Sequence, residues 1–323
     1  DNMQYLAAYA DYLEREISSL DFPATPSNLY DPIRYFLQLG GKRIRPILTL
    51  LSAEMFAAQK EDAVNVALAV EIFHNFSLIH DDIMDEAPLR RNYPTVHTKW
   101  NHNSAILAGD VLLVKAYQLI ARQKSEKIPA LLNEFNKMAV EVCEGQQMDM
   151  DFETREDVTI PEYIEMIRLK TSVLLGCALK MGAIVAGAEP HACELLYTFG
   201  QHVGIAFQIQ DDILDLYADP DKFGKQVGGD VIANKKTLLN LKAVELINGD
   251  REVLMRLNHE SNVTLKVKRA QELYESIGAR QACEQVMQQH FELAMQALDN
   301  ITIPEQNKQS LRDLALFLMQ REL

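Results

Sequence analysis

The chain has 323 residues, 48% of them apolar and 24% charged, which gives ample material for a sizeable core and the charge density of a soluble protein. A formal net charge of −14 argues against nucleic acid or an anionic membrane surface as partner. Cys143, Cys177, Cys193 and Cys283 show no close pairing and read as buried thiols of a reduced, cytoplasmic protein. No signal-peptide pattern opens the chain, and no apolar stretch reaches the roughly 18 residues of a membrane span.

Residues 3–20 carry apolar side chains every three to four positions and predict an amphipathic helix. Phe22 to Asp31, with Pro23, Pro26 and then Pro32, reads as a connector. Helix is predicted over Ile33–Leu39, broken by Gly40-Gly41, and again over Ile47–Ala58 after Pro46. A long apolar run from Ala67 to Asp85 is too long for a strand and predicts a buried helix; Pro88 to Pro94 then reads as a loop. Helices follow at Ser104–Arg122, 128–150, 161–188, 191–218, 235–248 and most of 265–322, with one long internal loop at 219–230. Strand signals are nearly absent and no Pro/Ser-rich linker divides the chain, so the expectation is one all-α domain over 1–323.

The long apolar helix ends in His80-Asp81-Asp82-Ile83-Met84-Asp85. Asp81 and Asp85, four apart, leave one helix face, and three acids sit where the macrodipole is already negative. The same pattern returns 130 residues later as Asp211-Asp212-Ile213-Leu214-Asp215, preceded by Gln208 and again ending a buried helix. Two such clusters call for divalent cations. All-oxygen ligands select Mg²⁺ or a similar hard ion, and few carboxylates per ion leave room for phosphate oxygens.

Several basic stretches answer the acids. Gly41-Lys42-Arg43-Ile44-Arg45-Pro46 is either an anion site at a helix start or a basic surface loop. Arg90-Arg91, five residues past Asp85, can reach back over the first cluster and grip phosphate bidentately. Lys170-Thr171 lies among apolar neighbours, as an inward polar face or a snorkelling lysine. Lys225 and Lys235 sit in a glycine-rich stretch after the second cluster and suit a lid. His74, two turns before Asp81, is either structural or a phosphate hydrogen-bonding group, and Gln146 with Asp149 shares a face near the end of another helix.

Taken in order, these motifs resemble the trans-prenyl diphosphate synthases of the polyprenyl synthetase family over about residues 40–237. The resemblance rests on the two aspartate-rich motifs, Arg90-Arg91, Gly41-Lys42 with Arg45-Pro46, Gly145-Gln146 with Asp149, Lys170-Thr171 and the later lysines. One departure is Asn92-Tyr93 where the family often has Gly; Asn tolerates a left-handed turn. The resemblance implies a large helical bundle of isoprenoid synthase type, with two facing aspartate clusters around a central cavity. It implies Mg²⁺, three per active site, held by Asp81 and Asp85 on one wall and Asp211 on the other, with Asp82, Asp212 and Asp215 in support. Arg90, Lys170, Lys225 and Lys235, with Thr171 and Gln208, would hold an allylic diphosphate (dimethylallyl, geranyl or farnesyl). Gly41, Lys42, Arg45, His74 and Arg91 would hold isopentenyl diphosphate, and Gln146 and Asp149 would support from behind. It also implies a homodimer, for which the Ser104–Arg122 helix is a plausible contact.

Product length is expected to depend on the helix before Asp81. Phe76 lies five residues back, roughly 7.5 Å at 1.5 Å per residue, with Ser77 beside it and Phe73 deeper. One aromatic beside a small residue resembles the twenty-carbon synthases, so geranylgeranyl diphosphate is the expected main product and farnesyl diphosphate the alternative. A terpene cyclase would not need Lys42 and Arg45, a non-catalytic partner subunit often lacks one aspartate cluster, and a plain cation-binding protein leaves the basic residues unexplained.

Overall fold

The computed structural model describes residues 4–219, 221, 226–247 and 249–320. Helix dominates, as the sequence predicts. The only sheet among the described residues is a two-stranded antiparallel ribbon, Leu89–Arg90 (β1) with Tyr93–Pro94 (β2), set in the stretch read as loop. Its turn, Arg91-Asn92, has positive φ at both residues (51° and 68°), as a type I′ hairpin requires. Without the usual Asn-Gly or Asp-Gly pair, the sequence does not advertise it. The chain divides into two compact units, one drawn from Asp1–Lys137, Cys177–Tyr197 and Thr302–Asp313, the other from Met138–Gly176, Thr198–Ile301 and Leu314–Leu323.

The first unit opens with α1 (Gln4–Ser18), α2 (Ser27–Gln38) and α3 (Ile44–Met55). α2 starts six residues earlier than predicted and runs through Pro32, which is buried. Arg34 compensates for the awkward entry, donating to the carbonyls of Phe22 and Pro23 at 3.2 and 3.1 Å and pairing with Asp31. α3 likewise begins before Pro46 rather than after it. At the third helical position the missing N–H of proline is one of the groups left without an intrahelical partner in any case.

α4 (Lys60–Met84) is the spine of this unit and packs against α3 and α6 (His102–Ile120). Asp62 accepts from the Gln59 N–H at 3.1 Å to start it. Phe73, fully buried, meets Phe76 at 5.3 Å and Phe135 at 5.4 Å between ring centroids. By length and composition α4 matches a membrane span, but 61% of its apolar window is buried inside the fold and it ends in aspartates. α5 (Val96–Lys99) precedes α6.

α7 (Ile128–Phe152), α9 (Val173–Val185), α10 (Pro190–Tyr217) and α16 (Gln309–Gln320) contribute residues to both units. The second unit adds α8 (Ile160–Ile167), α11 (Gly229–Ile232), α12 (Leu238–Leu246), α13 (Arg251–Asn258), α14 (Val263–Ile277) and α15 (Ala279–Asp299). α8 carries a full capping box between Thr159 and Glu162. Between α8 and α9, Arg168–Ser172 forms a π turn, so the predicted 161–188 helix is continuous in direction but not in hydrogen-bond register. The core here runs through Tyr163, Ile167, Ile209, Ile213, Leu238, Leu239 and Tyr274. All four cysteines are free thiols; the sequence predicts burial of all four, but Cys143 is exposed.

Candidate active site

In the first unit, α4 stops where its apolar face runs out. Asp85 caps it, its N–H donating to the Asp81 carbonyl at 2.8 Å. Of the three carboxylates only Asp82 turns inward; it is 4% exposed and accepts from Arg90 Nη2 at 2.7 Å. Burial pushes the Asp82 carboxyl up and Arg90 works against that rise. Asp81 is half-buried and Asp85 exposed. The ribbon presents the arginine pair: Arg90 returns to Asp82, while Arg91 Nη1 donates to the Gly40 carbonyl. The Arg91 guanidinium also covers Gly41, whose φ is 139° and where a Cβ would come within 2.8 Å of Nη2. Glycine is favoured there by conformation, since φ 139° is one that other residues rarely adopt.

The turn before α3 therefore lies under the ribbon. Arg43 is the α3 N-cap with φ 55°, and its side chain points into the fold. Lys42 is exposed and Arg45 half-buried. On α4, buried Glu71 binds Arg43 at 2.6 Å and feels Arg45 and Arg91 as well; burial raises its carboxyl and the guanidiniums oppose that. One turn further, His74 is held well below its ordinary range, first by burial and then by Arg45, Arg91, Arg90 and Arg43, so it is neutral at pH 7. The structure thus brings Gly41, Lys42, Arg45, His74, Arg90 and Arg91 into one cationic neighbourhood beside the helix that carries Asp81 and Asp85. Phe76 sits nearer the core, between Phe73 and His80 (4.9 Å between rings), and Ser77 Oγ is turned back to the His74 carbonyl at 2.7 Å.

The second cluster closes α10 under different conditions. Asp212 is buried, accepting from the Tyr163 hydroxyl, from Leu238 N at 3.3 Å and from Gln208 Nε2 at 3.3 Å. Burial pushes its carboxyl up to about 7, with Tyr163 opposing the rise. Asp215 is buried too; it accepts from Asp230 N at 2.9 Å, and its carbonyl takes the Gly228 N–H at 2.5 Å. Asp211 is half-buried. Lys235 is exposed and helps to offset the charge of Asp212; Lys225 lies outside the described residues. Lys170, in the π turn, donates to Asp149 Oδ2 at 2.6 Å, and Thr171 is half-buried beside it. Gln146, only 5% exposed, has no protein partner for either side-chain amide atom. An orphaned amide of this kind is costly unless a ligand or water completes it.

Sequence reasoning missed Tyr163, Glu71 and Arg43. Glu71 had a signal, because it is the lone acid inside an apolar stretch, and acids are seldom buried unpaired. Tyr163 had none, being one more aromatic at helical spacing.

The donors fit a divalent cation. Both clusters offer only carboxylate oxygens, the choice of hard ions. Among the described residues no group of three His, Cys, Asp or Glu side chains could by itself hold a metal ion. An ion bound by one or two carboxylates completes its shell with water and phosphate oxygens, the usual habit of Mg²⁺. Asp212 is committed to Tyr163, Leu238 and Gln208, and Asp82 to Arg90.

The polyprenyl synthetase family model matches residues 26–277. A short chain isoprenyl diphosphate synthase of Methanothermobacter thermautotrophicus is 39% identical over 99% of this chain and 98% of its own. A crystal structure of a geranylgeranyl pyrophosphate synthase superposes with a TM-score of 0.94 at 45% identity, covering 98% of this chain and 99% of that one. A polyprenyl synthase from Caulobacter crescentus, crystallised with calcium and isoprenyl diphosphate, aligns with a TM-score of 0.84 at 27% identity over 99% and 96% of the two chains. The chain belongs to the polyprenyl synthetase family.

Proposed function

We propose that the protein condenses isopentenyl diphosphate with allylic diphosphates, head to tail, and that its main product is geranylgeranyl diphosphate. One observation carries this reading. The exposed end of α4, with Asp81 and Asp85, stands beside a separate cationic neighbourhood of Lys42, Arg45, His74 and Arg91, so carboxylates for a metal-bound diphosphate and cations for a metal-free one occur together. A cyclase or a simple cation-binding protein needs only the first.

Asp81, Asp85 and Asp211 are the residues for Mg²⁺, taken as three ions per active site, and 1–323 is taken as one prenyl synthase domain. When bound, the ions supply the positive charge that makes the allylic diphosphate a leaving group. Arg90, Lys170, Lys225 and Lys235, with Thr171 and Gln208, hold that diphosphate and donate to the oxygens on which charge develops. Asp149 orients the Lys170 ammonium, and Gln146 offers its amide toward the same region. Lys42, Arg45, Arg91 and neutral His74, with Gly41 admitting close approach, hold isopentenyl diphosphate so that its double bond faces C1 of the allyl group. The C1–oxygen bond breaks, a C1'–4 bond forms, and the proton lost from the isopentenyl unit passes to the released pyrophosphate. No side-chain base is required.

Phe76, with Ser77 and Phe73 beside it, is the floor against which the growing chain stops. The identity of a geranylgeranyl pyrophosphate synthase at 45% supports the twenty-carbon length. We place the protein in the cytoplasm as a homodimer. Ile106, Leu107 and Val114, exposed along α6, support a contact there.

The test is incubation with isopentenyl diphosphate, each allylic starter and Mg²⁺, with products separated by chain length. A twenty-carbon product is expected. A fifteen-carbon stop would overturn the Phe76 floor but keep the reaction, and no condensation by folded protein would overturn the function.

A further inference from the structure

Arg43 stands between Lys42 and Arg45 in sequence but faces the other way. Its side chain is buried to within 3% of full exclusion, too deep to meet a diphosphate itself. Instead it is held from three helices at once. Nε donates to Glu14 Oε1 on α1 at 2.6 Å, Nη1 to Glu71 Oε2 on α4 at 2.6 Å, and Nη2 to the Leu37 carbonyl on α2 at 2.8 Å. Its own carbonyl takes the Ile47 N–H at 3.1 Å and so begins α3. The residue adopts φ 55°, a conformation that non-glycine side chains rarely take and that persists only where the surroundings impose it. The planar guanidinium serves the three acceptors from three separate nitrogens, whereas an ammonium would have to reach all three from a single nitrogen.

The inward turn of Arg43 decides where its neighbours go. With φ positive at Gly40, Gly41 and Arg43, the chain reverses between α2 and α3, leaving Lys42 exposed and Arg45 on the first turn of α3. Glu71, the second anchor, precedes His74 by three residues on α4 and therefore shares its face.

We propose that Arg43 is a positioning residue for the homoallylic diphosphate: clamped by Glu14, Glu71 and the Leu37 carbonyl, it fixes the turn that aims Lys42 and Arg45. The inference rests on the reading of Lys42, Arg45, His74 and Arg91 as the isopentenyl diphosphate site. Since that site is built from cations, its ligand binds without a divalent ion, whereas the allylic diphosphate does not. Arg43 therefore acts on one substrate and spares the other.

The experiment is calorimetric titration of the full chain with isopentenyl diphosphate in EDTA, alongside thermal denaturation and steady-state KM for both substrates in Mg²⁺. Arg43→Met is expected to weaken isopentenyl diphosphate binding about tenfold or more, and Arg43→Lys to recover only part of that. Glu14→Gln, at the solvent-facing anchor, should weaken it about threefold with an unchanged Tm and an unchanged KM for the allylic substrate. Should Arg43→Met fail to fold, Arg43→Lys and Glu14→Gln decide the matter. Wild-type affinity in both overturns the proposal, as does an equal rise in both KM values in step with falling Tm, which marks a purely structural residue. Unaltered binding in Lys42→Ala removes the reading of the site, and the inference with it.

Discussion

The two aspartate clusters share one spelling and have different chemistry. In both, the second aspartate is taken into the fold: Asp82 by the charged Arg90, Asp212 by the neutral Tyr163 hydroxyl and Leu238 N–H. The third differs more. Asp85 is exposed at a helix cap, whereas Asp215 is buried and holds Asp230 N and Gly228 N. The first cluster ends in an exposed helix cap, and the second is stitched to the loop that follows it. A motif thus fixes which residues are acidic, and the surroundings decide which of them still have oxygens to offer.

Replacing Asp85 by Ala tests the contrast hardest. Turnover should fall about 10³-fold with Tm unchanged, because an exposed carboxylate proposed to hold Mg²⁺ is lost and no internal partner is stranded. Asp215→Ala should lower both turnover and Tm, since Asp230 N and its loop lose an acceptor; equal Tm in the two variants would erase the distinction. Next in size, Tyr163→Phe removes a neutral donor from buried Asp212 and should cost about 1–3 kcal/mol in urea denaturation. A wild-type urea midpoint would mean that Leu238 N and Gln208 suffice.

A subtler contrast lies one turn before each cluster. Phe76→Ala should shift product beyond twenty carbons, while Phe207→Ala, before Asp211, should leave chain length alone; chromatography of the products separates the two. The smallest effect is acidic. His202 and His290, on α10 and α15, meet through their Nδ1 atoms at 2.9 Å. Burial and then His202 push the His290 pKa down to about 4 from 6.5, so the neutral form is the one the fold stabilises. Its contribution is full above pH 6.5 and is lost as pH falls toward 4, because the unfolded chain takes the proton first. Urea midpoints of wild type and His290→Gln should therefore converge from pH 7 to pH 4.5, and a constant gap would contradict the pairing.

Much of this was legible in the sequence because the chemistry is written in contiguous words: two aspartate motifs, an arginine pair, a glycine-lysine turn. Helix type followed from apolar spacing, but helix number did not: α5, α11 and α13 fall outside the predicted helices, and 265–322 holds three separate helices, α14, α15 and α16. What stayed hidden depends on long-range closure. Arg43 reads as one more basic residue, and only Glu14 and Glu71, 29 and 28 positions away, turn it inward. The ribbon at 89–94 was hidden because Arg91 takes a left-handed conformation that its residue type does not announce. α2 runs through Pro32, while Arg34 ties the chain before it through the Phe22 and Pro23 carbonyls, a contact that no local pattern encodes. The π turn at Arg168–Ser172 leaves the apolar pattern almost untouched.

That π turn lies between two helices that approach it closely, α7 backbone to backbone. A Cβ on Gly145 of α7 would fall 2.4 Å from Lys170 N, and one on Gly204 of α10 would fall 2.8 Å from Ser172 Cα. At Gly145 no side chain separates the segments, and at Gly204 only the small Ser172 side chain meets the helix. Lys170, a long and flexible side chain, is consequently rooted where two neighbouring helices leave its backbone little room to shift. Its ammonium can swing by its own four carbons, but its root cannot drift from Gln146 and Asp149, and the reach of the lysine becomes a fixed length.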